Sequence, residues 1–215
     1  MLRPLRRGAR RALRTANAGA LVDAYRKGIL VDEGWFASFK TQQAIRASGE
    51  PIPWYTYAFI HFLEPRLQPT HRVFEYGSGN STRWYARRSA GVVAVEHDED
   101  WARRIGPLLA PPSEVLTRRS DDDYVGAIAG RGPFDVVVVD GIERLRPACA
   151  RAALDELSDD GVVVWDNSDR AEFEEGMALL RPAGFRHIPF KGLGPTAITA
   201  WETSVVYRDR NCLGI

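Results

Sequence analysis

Cysteine is nearly absent from this chain of 215 residues, with Cys149 and Cys212 the only two. Two cysteines without metal-type spacing exclude a disulfide framework and a thiolate zinc site, and they suit a reducing cytoplasm. Long apolar runs are missing too. None approaches the roughly 20 residues that span a bilayer. Internal repeats and low-complexity tracts are also lacking, so solenoids and disordered linkers drop out. Acidic residues are absent from positions 1–20, which carry Arg3, Arg6, Arg7, Arg10, Arg11 and Arg14. No apolar segment of signal-peptide length follows these arginines, which argues against secretion.

The net charge of +1 therefore conceals an asymmetry, since residues 21–215 hold 23 basic against 28 acidic side chains. An acidic body of this kind gives no basis for nucleic-acid binding. In the N-terminal segment Leu2, Leu5, Ala9, Leu13 and Ala16 follow a helical period. This permits weak contact with an anionic membrane surface, or simply a solvated basic helix or tail. An apolar fraction of 45% is that of a globular protein with a sizeable core. The length fits one α/β domain with extensions: a tail over 1–20, a helical cap over 21–70 and a sheet domain over 71–215.

The most informative pattern present is a set of four short apolar runs, each closing on a carboxylate. They end at Glu75, Glu96, Asp140 and Asp166. Runs rich in β-branched residues and apolar at successive positions predict parallel strands buried on both faces. In open parallel sheets the ligand crevice lies beyond the carboxyl ends of the strands, so the four acids belong to one edge.

Upstream, helical segments are expected from Glu33 to Ala47 and from Trp54 to Pro65. Downstream, strands alternate with helices, and the sequence Asp169-Arg170-Ala171-Glu172 has capping-box spacing. Two final strand candidates, 185–190 and 203–208, have no helix between them. The last strand is therefore expected antiparallel, inserted beside the parallel ones.

The first run feeds a turn, Glu75-Tyr76-Gly77-Ser78-Gly79-Asn80-Ser81-Thr82. The third glycine of a dinucleotide fingerprint is missing, and Thr82 stands in its place. This disfavours a diphosphate ligand. An acid before the turn and another at the next strand end instead match an amine and a ribose diol: Glu75 for the first, Glu96 for the second.

With these motifs, and with Val95-Glu96-His97-Asp98, Val139-Asp140-Gly141 and Asp166-Asn167-Ser168-Asp169-Arg170, residues 53–215 resemble the class I S-adenosylmethionine-dependent methyltransferases, and a bacterial group within them. The resemblance implies a Rossmann-like, mostly parallel sheet with an antiparallel last strand. It further implies that Tyr76, Gly77, Ser78, Gly79, Asn80 and Ser81 hold the methionine part of S-adenosylmethionine. Glu96 and His97 would then meet the ribose and Ser120-Asp121 the adenine, while the segment around Tyr57 covers the cofactor. The expected reaction is O-methylation of a small-molecule or glycan acceptor. An NAD-linked dehydrogenase, or a catalytically silent cofactor-binding protein at a membrane-associated assembly, are the competing readings.

Asp140 is the candidate base. Asp140 followed by Asp166-Asn167 also resembles the magnesium site of catechol-type O-methyltransferases, making these three the candidate Mg2+ ligands. The basic residue that those enzymes place soon after the first Asp has no counterpart here. The loop offers Glu143, Arg144 and Arg146, and arginine is a poor general base. The segment Lys191 to Glu202 is expected to overhang the acceptor site, with Lys191, Thr196 and Trp201 the candidate contacts. His97 and His187 are read as structural rather than as bases.

Overall fold

The computed structural model describes residues 18–215. The arginine-rich segment, and with it the expectation of membrane contact, lies almost wholly outside the described residues. Among the described residues no helix is long and apolar enough to cross a membrane.

Seven strands form one sheet: β1 (Arg72–Tyr76), β2 (Gly91–Glu96), β3 (Glu114–Thr117), β4 (Phe134–Val139), β5 (Leu157–Asp166), β6 (Arg186–Gly192) and β7 (Trp201–Tyr207). Their spatial order is β3-β2-β1-β4-β5-β7-β6. Neighbours from β3 to β5 pair in parallel, while β7 runs antiparallel to both β5 and β6. The late insertion of an antiparallel strand is the arrangement expected from the missing helix before β7. Successive strands are added to one side of β1 up to β3 and to its other side from β4 on, and the gap between β1 and β4 is where a doubly wound sheet opens its ligand crevice.

Alternation along each strand divides the core in two. Val73, Val92, Val136, Val138, Val162 and Val164 face one layer, and Phe74, Val95, Val137, Val139 and Val163 the other. Each fully buried side chain of this kind contributes about 1.5–3 kcal/mol relative to exposure. The N-terminal helices α1 (Ala18–Arg26), α2 (Ile29–Asp32) and α3 (Trp35–Thr41) precede α4 (Tyr57–Leu63) and α5 (Asn80–Ala86), and α4 and α5 form the layer on the first face, with Trp35 of α3 packed against it. After α6 (Glu99–Ile105), the opposite layer is formed by α7 (Asp121–Val125), α8 (Arg146–Ala153) and α9 (Ala171–Leu180). The segment read as a cap thus adds α4 to the same core as the sheet.

Three local expectations need correction. The helix expected over 33–47 shrinks to α3, because Gln42 takes a left-handed φ of 54° and the Ser38 hydroxyl donates to the Ile45 carbonyl at 2.7 Å. Past that point the chain doubles back through an Ile45–Pro51 bridge. The capping box at Asp169 does not form either; α9 starts after Arg170, with no side-chain cap. Finally, Lys191 and Glu202 are paired across β6 and β7, so the overhanging loop is only 193–200.

Candidate active site

Two glycines set the floor of the crevice. Gly77 follows β1 with φ of 100°, a left-handed value closed to most side chains. A Cβ added at Gly141, just past β4, would sit 1.8 Å from the Tyr124 hydroxyl and 3.2 Å from the Gly77 nitrogen. Glycine is thus favoured at 77 by the backbone angle and at 141 by the Tyr124 ring packed against it. The cavity they open holds about 380 Å³ and is lined by Glu75, Gly77, Ser78, Ser81, Glu96, His97, Asp140, Gly141 and Ile142.

Glu75 is buried at its inner end and accepts hydrogen bonds from the Ser81 and Thr82 hydroxyls. Burial pushes its carboxyl up to about 7, against the opposing effect of those two bonds. Thr82 also accepts the Gly79 N–H at 2.9 Å. The residue that breaks the dinucleotide fingerprint is therefore a structural part of the turn.

Glu96 closes β2 with its carboxylate turned inward. One oxygen accepts the N–H groups of His97 and Asp98 at 2.8 and 3.0 Å, and His97 Nδ1 lies 2.9 Å from the same atom. The other oxygen accepts the Ser78 hydroxyl at 2.9 Å, an exchangeable partner of the kind a ribose hydroxyl would replace.

A second cavity of about 310 Å³ continues outward over the turn, lined by Gln42, Gln43, Trp54, Ser78, Gly79, Asn80, Ser81, Arg83, Trp101, Arg104 and Asp140 among others. Here Trp101 donates its indole N–H to the Ser78 carbonyl at 2.8 Å. Asn80 is held by its bonds to the Ala44 carbonyl and from Arg83. A third cavity, about 470 Å³, lies under the β6–β7 loop and is lined by Trp54, Asp140, Asp166, Asn167, Arg170, Ala197, Thr199 and Trp201. The loop is fixed in place by the N-terminal helices: Trp35 donates to the Ala197 carbonyl and the Tyr57 N–H to the Leu193 carbonyl, both at 2.8 Å. Asp140 lines all three spaces.

Four expected cofactor contacts do not reach these cavities through their side chains. Tyr76 points into the core and donates its hydroxyl to the Val125 carbonyl at 2.9 Å. Tyr57 is buried in α4, packed with the core, and Trp54 faces the cavities in its place. Ser120 caps α7 through the Asp123 N–H at 3.2 Å. Asp121 is bound at 2.5 and 2.9 Å by the Arg144 guanidinium, which holds its carboxyl below the usual range. Asn80 and Gly79 line only the outer of the two spaces along the turn. Of the loop candidates, Trp201 faces the third cavity, whereas Lys191 and Thr196 do not. His187 packs edge-on against Phe173 at 4.9 Å, a structural role.

Asp140, Asp166 and Asn167 do converge at adjacent strand ends. The Val139–Trp165 pairing puts the two aspartates side by side. One side-chain oxygen of each is nonetheless already engaged. Arg146, only 5% exposed, donates from Nη1 to the Asp166 carbonyl at 2.8 Å and to Asn167 Oδ1 at 3.3 Å. Its Nη2 reaches Asp140 Oδ1 at 3.4 Å. Asp166 Oδ1 accepts the Thr203 hydroxyl at 2.6 Å and the Trp201 indole N–H at 3.1 Å. Among the described residues no group of three His, Cys, Asp or Glu side chains is arranged to hold a metal. A donor set threaded by a buried guanidinium does not fit Mg2+, which needs its oxygens free and near-octahedral. Burial and mutual repulsion raise the Asp140 carboxyl well above its ordinary value, with Arg146 opposing, and burial raises that of Asp166.

Sequence reasoning missed Ile142 and Thr199 as lining residues, since neither carries a chemical signature. It also underrated Arg146, whose role depends on burial and not on residue type.

No known family profile matches the chain, and no curated protein sequence does either. Solved structures do match. An O-methyltransferase from Bacillus cereus, in complex with S-adenosylhomocysteine, is 20% identical, with 86% of this chain and 97% of that one covered at a TM-score of 0.61. The O-methyltransferase TomG from Streptomyces achromogenes, involved in tomaymycin synthesis and solved with S-adenosylmethionine, is 19% identical (87% and 96% covered, TM-score 0.57). An rRNA methylase from Streptococcus thermophilus is 21% identical (69% and 92% covered, TM-score 0.50). Such identities speak for the fold and not for the acceptor. This chain has the fold of the class I S-adenosylmethionine-dependent methyltransferases.

Proposed function

We propose that this protein is an S-adenosylmethionine-dependent methyltransferase that transfers a methyl group to a hydroxyl of a small-molecule or glycan acceptor. The observation that carries the reading is the position of Asp140, the residue shared by the cavity between Glu75 and Glu96 and the cavity under the β6–β7 loop. The first has the groups for a cofactor: Glu96 for the ribose diol, His97 and Ile142 flanking it, and the Gly77–Ser81 turn for the methionine part. The second has the walls of an acceptor pocket, with the indoles of Trp54 and Trp201 beside polar groups.

S-adenosylmethionine, when bound, supplies an electrophilic sulfonium methyl. The remaining work belongs to the chain. The two cavities meet at Asp140, so an acceptor oxygen held beside its carboxylate would face the cofactor cavity, and such positioning would supply much of the acceleration. Bound between Glu75 and Glu96, the cofactor would supply the methyl as electrophile and would leave as neutral S-adenosylhomocysteine, retaining the C–S electron pair. The hydroxyl proton passes to Asp140, whose raised affinity for protons makes it a better base than an exposed carboxylate. The loop from 193 to 200, pinned by Trp35 and Tyr57, forms one wall of the acceptor cavity through Ala197 and Thr199.

A dinucleotide reading is less favoured, because Thr82 and Glu75 fill the start of α5, where a diphosphate would need free N–H groups. The test is calorimetry with S-adenosylhomocysteine and NADH, followed by release of S-adenosylhomocysteine from S-adenosylmethionine across a panel of hydroxylated acceptors. Binding of NADH alone would end this reading.

A further inference from the structure

A cation that activates a hydroxyl needs unengaged oxygens turned to one point, with room for water and substrate. Past β4 and β5 such oxygens exist in Asp140, Asp166 and Asn167, yet a side chain from the first turn of α8 has entered among them. Arg146 is buried, and its donors are spent on the ends of both strands. Besides the Asp166, Asn167 and Asp140 contacts, Nη2 lies 3.4 Å from the Asp140 and Gly141 carbonyls, and Nε 3.4 Å from the Gly141 carbonyl. The nearest other cation facing this cavity, Arg170, is paired outward with Glu143 at 2.6 Å. Arg146 is thus a buried positive charge beside two neighbouring aspartates, in contact with the carboxylate of Asp140 and with the main-chain carbonyl of Asp166.

We propose that Arg146 takes the place of a divalent cation in this site, neutralising the Asp140–Asp166 pair and fixing Asp140 toward the acceptor cavity, so that the site excludes magnesium and works without it. The reasoning is electrostatic and geometric. A guanidinium cannot leave such a position without stranding two carboxylates, and a second cation beside it meets strong like-charge repulsion in a poorly screened region. A planar fork also reaches several oxygens at fixed angles, as a metal does through its coordination geometry. Arg146 is a positioning residue. It does not touch the transferred methyl.

The inference concerns the same site as the proposed transfer, but its test needs no turnover. Mn2+ is titrated into the full protein saturated with S-adenosylhomocysteine, followed by paramagnetic resonance of the free ion and by thermal melting. The wild type should take up no Mn2+ at this site at millimolar concentration. Arg146→Gln, which removes the charge, should gain Mn2+ affinity by about tenfold or more. It should also melt higher with Mn2+ than without, and both effects should vanish on adding Asp166→Asn. Arg146→Lys, which keeps the charge and is the variant expected to fold if the other does not, should remain blind to Mn2+. Wild-type uptake of Mn2+ that Asp166→Asn abolishes would overturn the proposal. So would an Arg146→Gln protein that folds and still ignores the ion, or an Arg146→Lys protein that binds it. Failure of S-adenosylhomocysteine to bind would instead count against the cofactor reading and leave this one intact.

Discussion

The hydroxyl of Thr82 donates to the buried carboxylate of Glu75 while accepting the N–H of Gly79, so one side chain ties the end of β1 to the start of α5. The pair has a measurable pH consequence. Burial lifts the Glu75 carboxyl to about 7, above the ordinary glutamate value of roughly 4.3. The folded state therefore binds the proton more tightly than the unfolded chain. The associated stability is present at low pH and is lost as pH rises from about 4.3 through about 7. At about 1.4 kcal/mol per unit the loss is on the order of 4 kcal/mol. Glu75→Gln should remove this part of the decline, read as the difference between wild-type and variant melting curves from pH 5 to 8. Parallel curves would show that Glu75 is not the group responsible.

Glu96 should carry a large share of cofactor affinity. A charge-assisted pair of hydrogen bonds to a ribose diol is worth about 1.5–3 kcal/mol. Glu96→Ala should weaken S-adenosylhomocysteine binding by that amount in calorimetry, with the melting temperature of the free variant measured alongside to separate lost contacts from lost folding. An unchanged dissociation constant would remove Glu96 from the cofactor site.

Asp140→Asn should separate binding from chemistry. The substitution keeps the shape and the Arg146 contact at one oxygen but removes the base. Cofactor affinity should change little, and transfer, once an acceptor is in hand, should fall by about 100-fold or more. In the wild type the rate should rise with pH through a value above the usual carboxylate range, since burial and Asp166 both hold a proton on Asp140. A variant as active as the wild type would remove Asp140 as the base.

Gly141→Ala tests the packing of Tyr124 against the end of β4. Its new methyl would overlap the Tyr124 hydroxyl, which is buried without a hydrogen-bond partner. Overpacking of this kind costs about 1–3 kcal/mol. Tyr124→Phe should be well tolerated by itself and should restore part of the loss in the double variant, a coupling that a double-mutant cycle reads directly. Strict additivity of the two changes would mean that the Tyr124 contact is not the source of the loss.

Much of this was legible in the chain itself. Runs such as 136–139, apolar on both faces, have few stable fates besides a buried parallel strand, so β1, β2, β4 and β5 followed from composition and spacing. The lack of a helix between β6 and β7 fixed the antiparallel insertion, because a parallel crossover needs more chain than that interval holds. An acid at each strand end then put Glu75, Glu96, Asp140 and Asp166 on one edge. These are local or nearest-neighbour constraints, and a sequence carries them openly.

What the tertiary structure decided was which way each side chain turned and what met it there. Tyr76 and Ser78 stand two residues apart on the same turn, yet one faces the core and the other the cavity. Tyr57 packs into the core from α4, whereas Trp54, three residues earlier, faces the cavities. Above all, Arg146 reads in sequence as one arginine among 26. Its meaning arises only because α8 starts where β4 and β5 end, enclosing its charge with oxygens contributed from positions 140, 141, 166 and 167. Strand formation is written in the periodicity of neighbouring residues. The partner of a buried charge is set by long-range packing, which no local pattern encodes.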